Sequence, residues 1–252
     1  GGAVAGNYVT ETMTNEGDFE SYGVFTDLDF TITDRLNIIT GLRYSNDKKS
    51  FSWDAPLTDF VVSQVLGENF FFNSDGVESA SKSWDKITGR VVANYQVTDG
   101  AMTFLSYSTG YKSGGYDSLN TGTREAPLDP EVVSNIEFGV KGDFFDSRIR
   151  TQVALFKMII DDRQEAIESR SPDSNGAVPT VINTDEDIQG IELTGDWLVT
   201  ENLRFGLIYT YREQESSREA YFNAQGDFVV ADQLNVTSPQ EYTVTMDWSP
   251  EI

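Results

Sequence analysis

Neither cysteine nor histidine occurs anywhere in the 252 residues of this chain. Without them there is no disulfide framework, no Cys/His zinc site, no thiol nucleophile and no histidine-based triad. Basic residues are scarce as well, 18 Lys and Arg against 41 Asp and Glu, for a formal net charge of −23. That deficit argues against nucleic acid as a partner, because phosphates are held by Lys and Arg. No apolar run approaches the roughly 18 residues that a membrane helix needs, and the mean hydropathy is −0.36. The opening Gly1-Gly2-Ala3-Val4-Ala5-Gly6 lacks the basic start and apolar stretch of a signal peptide. Yet 38% of the residues are hydrophobic and 12% aromatic, which is not the composition of a disordered chain. Low mean hydropathy leaves one membrane class open. In a strand barrel the apolar and polar faces alternate and average out.

What the chain does have is period two. Tyr22, Val24, Leu28, Phe30 and Ile32 alternate with Gly23, Asp27 and Asp29, and after a turn at Thr33-Asp34-Arg35 comes Leu36, Ile38, Leu42 and Tyr44 against Asn37, Arg43 and Ser45. Such alternation predicts strands with one apolar and one polar face, here joined as a hairpin. The same pattern recurs over 87–97, 105–111, 136–144, 149–160, 191–197, 203–211 and 242–248, giving about nine strands. After Leu155 the apolar set shifts to Phe156, Met158 and Ile160, which suggests a bulge or the edge of a membrane. A further N-terminal strand around Tyr8–Met13 is compatible with the pattern.

The connections are more informative than the strands. Tight turns near 34, 99, 146 and 201 alternate with long polar segments, read as loops over roughly 46–83, 113–133, 162–187 and 213–239. Loops longer than ~12–15 residues are uncommon in compact soluble domains. Short turns on one side and long loops on the other are what an outer-membrane barrel predicts. Aromatic residues mark two levels on the apolar face. Phe30, Tyr95, Phe144, Trp197, Phe205 and Trp248 lie near the short turns, while Tyr22, Tyr44, Tyr107, Tyr111, Tyr209 and Tyr242 lie toward the long loops. Two belts with aliphatic residues between them describe a band facing outer-membrane lipid. The expected fold is therefore all-β, an antiparallel up-and-down transmembrane β-barrel, present as a partial barrel. A soluble β-sandwich that binds glycans is the alternative; its apolar face would pack under a second sheet.

The ordered motifs are also familiar. Ser21-Tyr22-Gly23-Val24-Phe25, Thr40-Gly41-Leu42-Arg43-Tyr44, Tyr95-Gln96-Val97-Thr98-Asp99, Ser106 through Tyr116, Glu137-Phe138-Gly139-Val140-Lys141 and Gln189-Gly190-Ile191-Glu192 resemble, in order and spacing, the barrel of TonB-dependent outer-membrane receptors, most of all the iron-complex receptors. The resemblance runs from about 21 to 248. It implies that the whole of 1–252 is an internal part of such a barrel, with the plug domain, the TonB box and the terminal strands outside it. It further implies a receptor in the outer membrane of a Gram-negative bacterium. Such a receptor binds a scarce, bulky nutrient, for example a ferric siderophore, and imports it with energy delivered by TonB. A passive porin-like channel is the alternative transporter.

No enzymatic chemistry, cofactor or metal set is expected. Ser79-Ala80-Ser81-Lys82 matches the S-x-x-K of serine β-lactamases, but that chemistry needs the serine at the start of a buried helix, and here it falls in a serine-rich stretch leading into a strand. Asp173-x-Asn175-Gly176 and Thr184-Asp185-Glu186-Asp187 lack EF-hand spacing and read as turn chemistry. Asp27, Asp29, Arg43, Arg90, Glu137, Lys141, Glu192 and Arg204 fall on the polar, lumenal face. Phe51, Trp53, Phe70, Phe71, Phe72, Tyr116, Tyr221 and Phe222 are loop aromatics suited to a vestibule or to packing among themselves. For the nutrient itself, Tyr111, Lys112, Tyr116 and Arg124 are the candidates, since a strand end delivers cation and aromatic groups to the rim. The overall excess of acid disfavours a strongly anionic ligand.

Overall fold

The computed structural model describes residues 2–4, 7–59, 61–67, 69, 77–119, 126–169, 178–218, 221–222, 228–229, 232–236 and 240–249. Two short strands, β1 (Gly2–Val4) and β2 (Asn7–Val9), pair with each other. The N-terminal strand expected around Tyr8–Met13 is thus shorter, ending at Val9, and stands apart from the main sheet. That sheet begins with β3 (Thr14–Thr31) and β4 (Leu36–Asp54). A helical stretch, α1 (Val61–Leu66), precedes β5 (Val77–Thr98). The chain continues through β6 (Ala101–Lys112), β7 (Glu131–Phe144), β8 (Ile149–Ser169), β9 (Val178–Thr200) and β10 (Leu203–Arg218). A small pair, β11 (Tyr221–Phe222) with β12 (Phe228–Val229), is followed by β13 (Asp232–Val236) and β14 (Gln240–Trp248).

Every neighbour in the sheet is antiparallel and sequential from β3 to β10. β13 pairs with the upper part of β10 and β14 with the lower part, so together they occupy one further position, the ninth. Among the described residues β3 and β14 each pair on one side only, and the sheet they bound is open. The turns fall where period two placed them. At 145–147 three consecutive residues, Phe145, Asp146 and Ser147, adopt left-handed φ of 55°, 56° and 63°. That sequence of conformations reverses the chain without a glycine, which is why the turn is marked by Asp and Ser instead.

The ladder register settles the faces, because residues directly opposite one another share a side. Tyr22, Val24, Leu28 and Phe30 stand opposite Asn46, Tyr44, Thr40 and Ile38. The same face continues through Val91, Tyr107, Ile136, Val153, Leu193 and Tyr209. No second sheet packs on it among the described residues, and Leu28, Leu42, Leu105, Phe138 and Trp197 are exposed there. This is a lipid face and not the inner face of a sandwich. From Tyr22 to Phe30 it measures about 26 Å of strand at ~3.3 Å per residue, a rise of about 20 Å at a tilt of ~40°, within the ~25 Å apolar band of such barrels.

Asp27, Arg43, Arg90, Glu137, Lys141, Glu192 and Arg204 lie on the other face. It is concave. Trp53 on β4 and Thr180 on β9 both hydrogen-bond to one residue, Asp117, at 2.9 and 3.0 Å. On a flat sheet five strand spacings of ~4.8 Å, about 24 Å, would separate those strands. Only curling toward this face brings them to a common partner.

Two expectations need correction. The segments read as loops over 46–83, 162–187 and 213–239 are strand at their flanks, since β4 runs on to Asp54, β5 starts at Val77, β8 and β9 reach Ser169 and Val178, and β10 reaches Arg218. Above the membrane both faces are wet, so the apolar signal stops while backbone pairing continues. Ser79–Lys82 therefore lies within β5, and Thr184–Asp187 within β9, where Arg163 pairs with Glu186 at 2.6 Å. The expected bulge at Phe156 is also displaced. Pairing is continuous through Leu155 and Phe156, and the irregularity falls between Ile160 and Arg163, where Asp162 has φ of 56°. Phe156, Met158 and Ile160 simply face inward, with the Phe156 ring lying over Gly190, where an added Cβ would approach it to 2.9 Å.

Candidate functional site

The concave face at the long-strand end is built by β4, β5 and the segment after β6. On β4, Lys49, Phe51 and Trp53 alternate inward, and on β5 Lys82, Trp84 and Lys86 do the same. The chain then leaves β6 and crosses this wall. Gly115 pairs with Leu128 through two backbone hydrogen bonds of 3.2 and 2.9 Å, which shapes residues 113–119 into a strap. Tyr116 on the strap meets three rings at once: Phe51 at 6.2 Å, Trp53 at 5.7 Å and Trp84 at 6.0 Å between centroids. Edge-on and stacked ring contacts of this kind add stability beyond their buried area. Trp53 is fully buried and Trp84 is 5% exposed.

Glycine at 114 is required by the approach, because a Cβ there would collide with the Leu128 carbonyl and the Trp84 indole. Asp117, 5% exposed, fastens the far end of the strap. Its carboxylate accepts from Thr180 Oγ1, from the Val181 amide at 2.8 Å and from the Leu119 amide at 2.9 Å. The Asn15 side chain donates to the Ser118 carbonyl at 2.8 Å, which ties β3 to the same strap.

Both faces carry charge of both signs in this region, and Lys48 stands on the outer face among acids. Glu16, Asp18, Glu20, Asp85, Asp187 and Glu215 share the ladder positions of the outer face. Inside stand Arg43, Lys49, Lys82, Lys86 and Lys112, interspersed with Asp47, Glu78 and Glu131. The Lys49 and Lys82 ammonium groups lie 5.9 and 5.4 Å from the centre of the Trp84 ring. Burial lowers the Lys49 pKa, Asp47 opposes the shift and Lys112 adds to it. Burial also raises the Tyr116 hydroxyl above its ordinary range.

Of the residues singled out in the sequence, Tyr116 and Lys112 reach this wall. Lys112 also pairs with Glu131 at 3.6 Å. The Tyr111 hydroxyl is buried beside Asp47, and that burial pushes its pKa up to about 12. Arg124, Phe70, Phe71, Phe72 and Asp173-x-Asn175-Gly176 fall outside the described residues. Phe51 and Trp53 belong to a strand, and Trp53 is wholly absorbed in packing. Lys49, Lys82 and Trp84 were missed. Their signal was present as the alternation Lys49-x-Phe51-x-Trp53 and Lys82-x-Trp84-x-Lys86, bulky and basic residues on one face where no lipid pattern remained.

An open antiparallel sheet with a lipid band outside, charges inside and an aromatic mouth defines a sector of an outer-membrane strand barrel. Residues 1–251 match the family model described as TonB dependent receptor-like, beta-barrel, and the chain belongs to that family. Its place is the outer membrane of a Gram-negative bacterium, and the family is one of receptors, not enzymes. Among curated relatives, the ferric-pyoverdine 358 receptor of Pseudomonas putida is 26% identical over 198 residues, 78% of this chain and 22% of that protein. The pesticin receptor of Yersinia enterocolitica is 29% identical over 146 residues, 58% of this chain and 19% of that protein. The chain thus spans about a fifth of the length of these relatives. In fold it is similar to the siderophore receptor PiuA from Acinetobacter baumannii, with a TM-score of 0.69 and 18% identity over 93% of this chain and 32% of that one. The ferric yersiniabactin uptake receptor FyuA from Yersinia pestis gives 0.62 and 16% over 93% and 38%.

Proposed function

We propose that the chain forms part of the barrel wall of a receptor that captures a ferric siderophore outside the cell and imports it with TonB-delivered energy. The observation that carries this reading is the mouth: Phe51, Trp84 and Tyr116 are gathered with Lys49, Lys82 and Lys112 on the concave face. Apolar rings with a few placed charges suit a bulky chelate, and the site is built by β4, β5 and the strap that crosses them. The curated relatives named for ferric-pyoverdine and the fold neighbours named for siderophores support the same substrate class. Tyr111, Lys112, Tyr116 and Arg124 belong to this proposal as rim residues, with Tyr116 at its centre.

The test is uptake of ferric siderophores labelled with radioactive iron in the source bacterium. Deleting the gene that carries this chain should abolish uptake of at least one such complex, and deleting TonB should do the same. Lys112→Ala with Tyr116→Ala should weaken uptake with surface abundance unchanged. Uptake that persists without TonB would turn the reading toward the passive channel.

A further inference from the structure

We propose that the upper half of β5 is an open strand edge outside the membrane, and that it takes up an extended, proline-free segment of another protein by strand addition. The first observation is a fork in the sheet. β5 keeps its ladder with β4 up to Val77, but its ladder with β6 ends at Arg90 and Ser108. The next position is capped by a side chain. The Thr109 hydroxyl accepts from the Gly89 amide at 2.9 Å and donates to the Gly89 carbonyl at 3.4 Å. Beyond it β6 slips inward, with the Tyr111 hydroxyl beside Asp47 of the inner face and Gly114 against the Trp84 indole.

In an antiparallel sheet alternate residues turn their amide and carbonyl to opposite neighbours. Gly89 faces the β6 side and the register of β5 on β4 is unbroken, so Ser79, Ser81, Ser83, Asp85 and Ile87 face the fork as well. Among the described residues, none of these five has a backbone partner on that side. All five are exposed, and 79–85 lies beyond the Tyr44–Ile87 level, clear of the lipid band.

The second observation is that this edge is unguarded. Sheets protect free edges with bulges, proline or charge. β8 does so where β7 leaves it at Asp161: its register breaks between Ile160 and Arg163, the Gln164 amide donates to Glu131, and the Gln164 side chain donates to the Ser113 and Asp129 carbonyls. The upper half of β5 has neither bulge nor proline, and Lys82 is turned inward, 5.4 Å from the centre of the Trp84 ring. Water can satisfy such groups singly. A row of donors and acceptors repeating about every 6.6 Å is matched by another polypeptide strand and not by a small solute.

The test uses the receptor purified from outer membranes in detergent. The probe is the fluorescein-labelled peptide Thr-Glu-Lys-Val-Thr-Glu-Thr, which in antiparallel register sets Glu opposite Lys82 and Lys86, and Lys opposite Asp85. Its fluorescence anisotropy should rise on binding. The same peptide methylated on the backbone nitrogens that face β5 should bind at least about tenfold more weakly. Ser83→Pro removes one edge amide without touching the β4 ladder, and should weaken binding by a similar factor with heat-resistant migration on electrophoresis unchanged. If that variant fails to fold, the methylated peptide decides. Amides of Ser81, Ser83 and Asp85 should exchange fast in the free receptor and slowly with peptide bound. No binding of the probe, or equal binding of its methylated form, overturns the proposal. Protection of those amides without peptide also overturns it, a doubled mass then marking a second copy as the occupant and an unchanged mass the chain itself.

Discussion

Asp117 decides the shape of the mouth. Its carboxylate takes two hydrogen bonds from β9, at Thr180 and Val181, while its own carbonyl accepts from Trp53 on β4. Asp117→Ala removes the acceptor for three donors, and a lost buried partner of this kind costs about 1–3 kcal/mol. Amide exchange over 113–119 should quicken, read by mass spectrometry, with the mid-membrane strands unchanged. Equal protection in the variant would show that Tyr116 packing alone holds the strap. Lys49 points the other way. Because it opposes Lys82 directly, Lys49→Met should leave stability equal or raise it by about 0.2–1 kcal/mol, measured by urea unfolding in lipid vesicles. A drop would mean the ammonium is worth more to the fold than to a ligand. Trp53 and Thr180 illustrate what the sequence could and could not say. Trp53 carries an alternating pattern that was readable but lay beyond the lipid signal, whereas its sharing of Asp117 with Thr180 joins positions far apart in sequence, and no local pattern encodes it.

At the level of strands, the parity of each segment within the bilayer was readable because lipid enforces it. Leu105 opposes Ala93 and Phe138 on the outer face, and Ser106 opposes Val92 and Glu137 on the inner. A cation at mid-bilayer on the lipid side costs about 2–4 kcal/mol. Leu105→Arg should therefore cut the folded, heat-resistant fraction on electrophoresis, while Ser106→Arg should leave it nearly unchanged. The reverse ranking would invert every face assigned here. Inside, the strands are joined by modest ion pairs. Arg90 reaches Asp27 at 2.6 Å across the gap left by Gly41, and Arg204 meets Asp196 at 2.9 Å. All four side chains are about half exposed, so each pair contributes at most about 1 kcal/mol. What these pairs do supply is a polar lining. Strand ends were the poorly read part. In water an edge of Ser, Asp and Lys can stay paired with no apolar face, so hydropathy cannot mark where pairing ends.

For the molecule as a whole, the free sides of β3 and β14 and the exposed lipid band predict behaviour in solution. Expressed by itself, the 252-residue chain should sediment as aggregate unless detergent is present, because unpaired edges and apolar surface both seek partners. A detergent-free monomer that unfolds cooperatively would contradict the barrel. The long strands carry a different consequence. β9 runs from Val178 to Thr200, about 76 Å at ~3.3 Å per residue. Tilted by ~40°, it rises about 58 Å, of which ~25 Å is apolar band. Some 30 Å of wall therefore stands clear of the hydrocarbon, at the height of the lipid sugars. A solute arriving from outside meets a stiff, hydrogen-bonded palisade before it meets lipid, and selection begins within the carbohydrate layer rather than at the bilayer surface.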